Sequence, residues 1–135
     1  MTFTMQWLYY NPVAADRQET WNNWRSSVNM SVSELERFLD QYGDVAGLSR
    51  AQAKAEGVRS GRDSARAIVR MIRKGGRSSY SSAESNWTRN DWDWAKRQVS
   101  FIARMQGTRG PLYTKNGKPT RKLLALKLWG HDPEK

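Results

Sequence analysis

The sequence predicts a mainly α protein: a compact single-domain bundle of five or six helices over residues 13–135, preceded over residues 1–12 by an extended arm or short strand. Three observations predict it. Serine or threonine followed three residues later by Glu, Gln or Asp recurs at Ser31, Ser49, Ser60 and Thr88, and each pair opens a stretch with apolar residues at helical spacing. Glycines close the first three stretches at Gly43, Gly57 and Gly75-Gly76, and Gly130 ends the last helix. With 135 residues, 38% hydrophobic and 11% aromatic, the chain holds enough apolar mass for one core and not two, and no repeat or long linker divides it.

The elements follow in order. Phe3, Met5, Trp7 and Tyr9 alternate with Thr2, Thr4 and Gln6 before Asn11-Pro12 breaks the pattern, as in a short strand or extended arm. From Val13 to about Ser27, Trp21, Trp24 and Val28 share a helical face, with Asp16 and Glu19 near the positive end. Ser31 and Glu34 form a capping box flanked by Met30 and Leu35 as a staple, so a helix starts there. Leu35, Phe38 and Leu39 form its buried stripe, and Gly43 ends it in the left-handed conformation. Ser49 and Gln52 open a short helix closed by Gly57; Ser60 and Asp63 make a third box.

The helix from Gly61 to about Lys74 carries Arg62, Arg66, Arg70 and Arg73 on one face, with Ala65, Ile68, Val69 and Ile72 on the adjoining arc. Arg77 to Ser85, with five serines, has the composition of an exposed loop. Thr88 and Asp91 cap the next helix, which runs to about Gln106. Its stripes Trp92, Ala95, Val99, Ile102 and Trp94, Phe101, Met105 cover over half the circumference, so it is expected at the centre of the fold. Lys96, Arg97 and Arg104 keep its remaining face basic. Gly107, Gly110-Pro111 and Asn116-Gly117 then punctuate a loop, and Thr120 caps a last helix, Arg121 to Trp129, with Leu123, Leu124, Leu126 and Leu128 inward.

Composition narrows the function. The chain has 23 Lys+Arg against 13 Asp+Glu, a formal charge of +10. Residues 1–50 hold four Arg and six acids, whereas residues 51–135 hold nineteen Lys+Arg and seven acids, so the halves carry −2 and +12. Such asymmetry points to a polyanionic partner for the second half. No Cys and a single His exclude disulfides, thiolate zinc sites and cysteine nucleophiles; no metal site, cofactor or catalytic residue is expected. With no apolar run of 18 residues and no basic residue in Met1–Tyr10, the chain reads as soluble and intracellular, with no membrane partner.

The segments Val28-Asn29-Met30-Ser31-x-x-Glu34-Leu35, Ser60-Gly61-Arg62, Lys96-Arg97-Gln98-Val99-Ser100-Phe101-Ile102-Ala103-Arg104 and the ending Trp129-Gly130-His131-Asp132-Pro133 resemble, in that order across roughly residues 24–134, a family of small proteins of unknown function often labelled DNA-binding. The resemblance implies a small helical fold and DNA as ligand, and brings no catalytic residues. The Trp-rich start, the serines from Ser78 to Ser85 and the Gly110-Pro111-Leu112-Tyr113 loop depart from the family and offer a different partner surface.

Two basic groups are the candidate nucleic-acid-binding sites. Arg59, Arg62, Arg66, Arg70 and Arg73, with Lys74 and Arg77, form a guanidinium-rich row in which Asp63 is the one acid between Gly57 and Arg77; guanidinium forks bind phosphate oxygens in pairs. Arg109, Lys115, Lys118, Arg121 and Lys122 lie beside Tyr113, which can stack a base. Residues Ser49 to Arg73 also admit a helix-turn-helix, although Gln52, Glu56 and Asp63 stand where that motif packs apolar side chains. The weakest reading, a nuclease built on Glu84, Asp91 and Asp93, lacks a shared helix face for its aspartates. His131 and Asp132 read as helix-ending groups that bond free backbone.

The expected function is binding of nucleic acid, DNA ahead of RNA, through phosphates with weak sequence selectivity, in the cytoplasm, on the nucleoid or in a virion. The alternative is a basic protein-interaction module of a mobile element, such as a phage or viral virion component or an inhibitor of a host complex, with an acidic or nucleoprotein partner. The sequence leaves the oligomeric state open.

Overall fold

The computed structural model describes residues 12–43, Ala55 and residues 60–135. Of the arm expected over residues 1–12, Pro12 starts a helix and residues 1–11 lie outside the described residues, as do Arg59 and, apart from Ala55, the short helix from Ser49 to Gly57 that the helix-turn-helix needs. Six α-helices form within them: α1 Pro12–Ser27, α2 Val32–Tyr42, α3 Gly61–Arg73, α4 Tyr80–Asn86, α5 Arg89–Gly107 and α6 Arg121–Leu128. None is long and apolar enough to cross a membrane.

Helix α5 is the axis, packing against α1, α3 and α6, while α2 lies across α3 and α6. Its start obeys the sequence signal: Thr88 Oγ1 accepts from the Asp91 N–H at 3.2 Å and the Asp91 carboxylate accepts from the Thr88 N–H at 3.0 Å. The same reciprocal box forms at Ser31 and Glu34, with Met30 and Leu35 both buried as its staple.

The core is aromatic. Trp24, Trp87, Trp92, Trp94 and Trp129 are all buried. Trp87 meets Trp24 edge-on at 5.0 Å and Trp92 at 4.8 Å, while Phe101 stacks on Trp129 at 4.2 Å. Burying an indole also buries an N–H, which is costly without an acceptor; two of these N–H groups have one, while that of Trp92 has none among the described residues. The Trp24 indole N–H donates to the Gln98 Oε1 at 2.7 Å, whose amide donates in turn to Ser64 Oγ at 3.2 Å; the Trp87 indole N–H donates to the Met71 carbonyl. Gln98 is fully buried for this reason, in the middle of a helix whose apolar stripes alone gave it no role.

Several expectations are corrected. Residues 77–85, which the composition marks as an exposed loop, instead hold most of α4, because Ser79 caps it and Tyr80, Ala83 and Trp87 pack on the indole cluster. Helix α1 starts at Pro12, which puts Asp16 beyond the first turn, and its carboxylate pairs instead with Lys96 of α5 at 2.7 Å. Gly43 has right-handed angles, φ −56° and ψ −28°, because the chain keeps its helical sense there. The third box does not form: Ser60 precedes α3 in extended conformation but makes no side-chain cap, and Asp63 pairs with Arg66. The core face of α3 is centred on Ser64, Ala65, Ile68 and Met71, with Val69 and Ile72 only half-buried at its edge.

The chain ending closes the fold. Gly130, at φ +86°, has a conformation that a side chain would strain, and a Cβ there would sit 2.7 Å from Ile68. Its carbonyl accepts from the N–H groups of Asn29 and Met30 at 3.0 and 3.2 Å. The Asn29 amide donates to the Asp132 carbonyl and its oxygen accepts from the Asp132 N–H. His131 is buried, with Nδ1 2.6 Å from the Ser27 carbonyl and Nε2 3.0 Å from the Gln106 amide nitrogen. The Nδ1–H thus donates to the Ser27 carbonyl. The segments around Asn29 and His131 are thus two sides of one joint.

Candidate nucleic-acid interface

The α3 row is exposed but spoken for. Arg66, Arg70 and Arg73 all face solvent, yet each meets a carboxylate: Arg66 lies 3.5 Å from Asp63, Arg70 3.1 Å from Asp91 and Arg73 2.8 Å from Glu36 of α2. Arg62 is half-buried, and its Nε is buried without a hydrogen-bond partner among the described residues.

These pairs differ in strength. Asp63 and Glu36 are solvated partners, and exposed pairs of this kind contribute about 0–1 kcal/mol, so a phosphate can displace them. Asp91 is different. Its side chain is only 1% exposed and accepts from Arg70 at 3.1 Å, Lys74 at 2.6 Å and the Thr88 N–H. Burial pushes its carboxyl up, but the Lys74, Thr88 and Arg70 hydrogen bonds prevail and hold it below its ordinary value. Removing Arg70 or Lys74 to a ligand leaves a buried anion short of partners.

Arg77 is committed further. Its guanidinium donates to the Val28 carbonyl at 2.6 Å and the Met30 carbonyl at 2.9 Å and lies over the Trp24 ring. Desolvation, with Arg25 nearby, lowers its pKa, though a guanidinium stays charged. Three members of the predicted site, Arg70, Lys74 and Arg77, thus hold α5 and the α1–α2 joint in place. Asp91, the aspartate of the nuclease reading, is occupied by the same contacts, and Glu84 accepts from the Tyr80 hydroxyl at 2.7 Å. No group of three or more metal-ligating side chains occurs among the described residues.

The second group is placed differently. Between Asp93 and Asp132 the chain has no acid, while Lys96, Arg97, Arg104, Arg109, Lys115, Lys118, Arg121, Lys122 and Lys127 carry nine positive charges. Arg97, Arg104, Arg109, Lys115, Lys118 and Arg121 are exposed and have no carboxylate partner among the described residues, Arg97 lying over the Trp94 ring. Lys122 donates to the Thr108 carbonyl at 2.7 Å, which draws the start of α6 to the end of α5 and brings Arg109 beside Arg121 and Lys122. Arg121 and Lys122 occupy the first two positions of α6, where the helix dipole disfavours cations and favours anions. Local stability is thereby reduced at a place where an anion would restore it.

Tyr113 is 40% exposed, and its hydroxyl donates to Glu134, which raises the phenol's pKa. The two basic groups do not merge around Asp91. Arg70 and Lys74 lie at the start of α5 and Arg109 just beyond its end, separated by about 26 Å of helix at 1.5 Å per residue. Arg97 and Arg104 are the exposed, unpaired cations that the predicted set omitted; the acid-free run that contains them was the available signal.

No curated protein and no solved structure matches the chain. A family model described as a domain of unknown function, DUF6321, matches residues 72–129. The match takes in the serine-rich stretch and the Gly110–Tyr113 loop, and it leaves out both sides of the joint around Asn29 and His131. The chain is therefore similar to DUF6321 over the end of α3, all of α4 to α6 and the connections between them.

Proposed function

We propose that the protein binds nucleic acid, duplex DNA ahead of RNA, through phosphate contacts made by its acid-free second half. One observation carries the reading: six exposed cations within a 38-residue run without acids, residues 94–131, have no carboxylate partner among the described residues, and all but Arg97, which lies over the Trp94 ring, stand clear of the aromatic core. In the α3 group, by contrast, Arg70 and Lys74 are held by Asp91, and Arg77 by the Val28 and Met30 carbonyls. Phosphate contacts give affinity and orientation with little base information, so weak selectivity is expected. The DNA-binding label of the resembled family supports DNA over RNA.

If Arg104, Arg109, Lys115, Lys118 and Arg121 each neutralise one phosphate, log K falls against log salt with a slope near −4.5, about 0.9 per contact. Fluorescence anisotropy of the full chain on a labelled duplex measures it. The Lys115→Gln/Lys118→Gln variant is expected to bring the slope to about −2.7, and Arg66→Gln/Arg73→Gln to leave it within about one unit. A slope unaffected by the first pair and abolished by the second would return the site to α3. Affinity independent of salt would remove the phosphate reading. Retention of an acidic protein from nuclease-treated extract, without binding to DNA, would assign the surface to the protein-interaction module of a mobile element.

A further inference from the structure

The connection from α5 to α6 is longer than joining them requires. Residues 108–120 number thirteen, whereas adjacent helices in bundles are joined by about two to eight. The surplus is built, not slack. Tyr113 and Pro119 form an antiparallel bridge. The Thr114 N–H donates to the Lys118 carbonyl at 2.7 Å and the Thr120 N–H to the Leu112 carbonyl at 2.9 Å. Gly117, at φ +78°, reverses the chain while its N–H donates to the Thr114 carbonyl at 2.9 Å. This is a three-residue hairpin turn with glycine in the left-handed position. Thr114 Oγ1 accepts from the Lys118 N–H, and Thr120 Oγ1 donates to the Pro111 and Leu112 carbonyls. The ribbon is ordered by its own bonds.

Its tip is bare. Lys115, Asn116, Gly117 and Lys118 are all exposed, and a Cβ on Gly117 would meet nothing within 4 Å. Neither lysine has a carboxylate partner, and the Asn116 amide has no hydrogen bond, among the described residues. At the ribbon's base the Tyr113 hydroxyl bonds Glu134, two residues beyond the joint that holds Asn29. The ribbon is fixed to the body at its root and carries two cations and one amide at its free end.

Resting on the reading that the protein binds duplex DNA, we propose that this ribbon enters the major groove, with Lys115 and Lys118 on phosphates at its two sides and the Asn116 amide on base edges between them. Paired strands lie about 4.8 Å apart, and with side chains they match the roughly 12 Å major groove, which admits a two-stranded ribbon; the minor groove, about 6 Å wide, does not. The Asn amide offers a donor and an acceptor, the complement of adenine N7 and N6 in that groove. Duplex RNA is excluded as the groove partner because its major groove is too deep and narrow to be read by side chains.

Dimethyl sulfate tests the placement, because it methylates guanine N7 in the major groove and adenine N3 in the minor groove. With the full chain on a mixed-sequence duplex, guanine N7 is expected to be protected and adenine N3 to stay reactive. At protein concentrations adjusted for equal occupancy, Lys115→Gln/Lys118→Gln is expected to lose at least about half of that protection, and Arg66→Gln/Arg73→Gln to keep it. Asn116→Ala leaves the backbone bonds of the ribbon intact and is expected to weaken binding about tenfold on adenine-containing duplex and less on G·C duplex. Binding that protects adenine N3, protects no base, or favours duplex RNA would overturn the groove placement while leaving phosphate binding standing. Absence of duplex binding even at low salt would overturn both.

Discussion

At the residue scale, the charged side chains divide by what they touch. Asp91 and Arg77 are the two ionic anchors of the interior, one gathering Arg70 and Lys74, the other bridging two carbonyls of the α1–α2 joint. Nothing in the sequence distinguishes Arg70 from an arginine reserved for phosphate, because it sits in the same row on a helix face as Arg66 and Arg73. The difference arises from a carboxylate brought in from 21 residues away. Glu34 shows how an anchor responds to pH. The Lys135 amino group, then the Ser31 N–H, lower its carboxyl from 4.5 to about 2. A carboxyl lowered in the folded state favours folding above its unfolded value, and that contribution is lost as pH falls through the folded one. Glu34→Gln is therefore expected to be less stable than the parent at pH 6 and to converge with it between pH 4.5 and 2, the window set by those two values. Urea midpoints along the acid limb check this; a gap constant with pH would show that the carboxylate's charge is not responsible.

At the element scale, helices with a side-chain cap and a periodic apolar face were legible in the sequence: α2 from its Ser31 box, α5 from Thr88, and α6 from Thr120, whose Oγ1 accepts from the Leu123 N–H. Helix α4 was not. Seven residues are too few to be stable alone, and its serines carry no apolar period. The structure supplies what composition hides: Ala83 fully buried, Tyr80 against Trp21 and Trp92, and Ser79 accepting from the Ser82 N–H at 3.1 Å. Ser79→Ala is expected to cost about 1 kcal/mol, seen as faster amide exchange in residues 82–86 with α5 unchanged. Equal exchange in parent and variant would mean that packing alone holds the element. The candidate site follows the same division: Lys115, Lys118 and Arg121 were legible because an acid-free run needs no tertiary information, whereas the ribbon that presents two of them depends on backbone bonds that their side chains do not announce.

At the scale of the whole molecule, the charge asymmetry survives folding as an arrangement in space. The cations nearest the start of α5 are neutralised by Asp91, and those beyond its end are left open. The resemblance blocks also change meaning at this scale. Val28-Asn29-Met30 and Gly130-His131-Asp132 are not two sites but one contact across about a hundred residues of chain. Ending the chain at Trp129 removes the five Gly130, His131 and Asp132 bonds to Ser27, Asn29 and Met30, and is expected to lower stability by about 5 kcal/mol at roughly 1 kcal/mol for each lost bond. Thermal unfolding of the truncated chain measures it, and an unchanged midpoint would deny the joint a stabilising role.

That joint also dictates a schedule. During synthesis, the carbonyl of Ser27 and the amide of Asn29 leave the ribosome about a hundred residues before the groups they bond. Until residues 130–132 emerge, the exit of α1 lacks these bonds, so a nascent chain already carrying the whole of α1 to α5 still has that end of α1 unclasped.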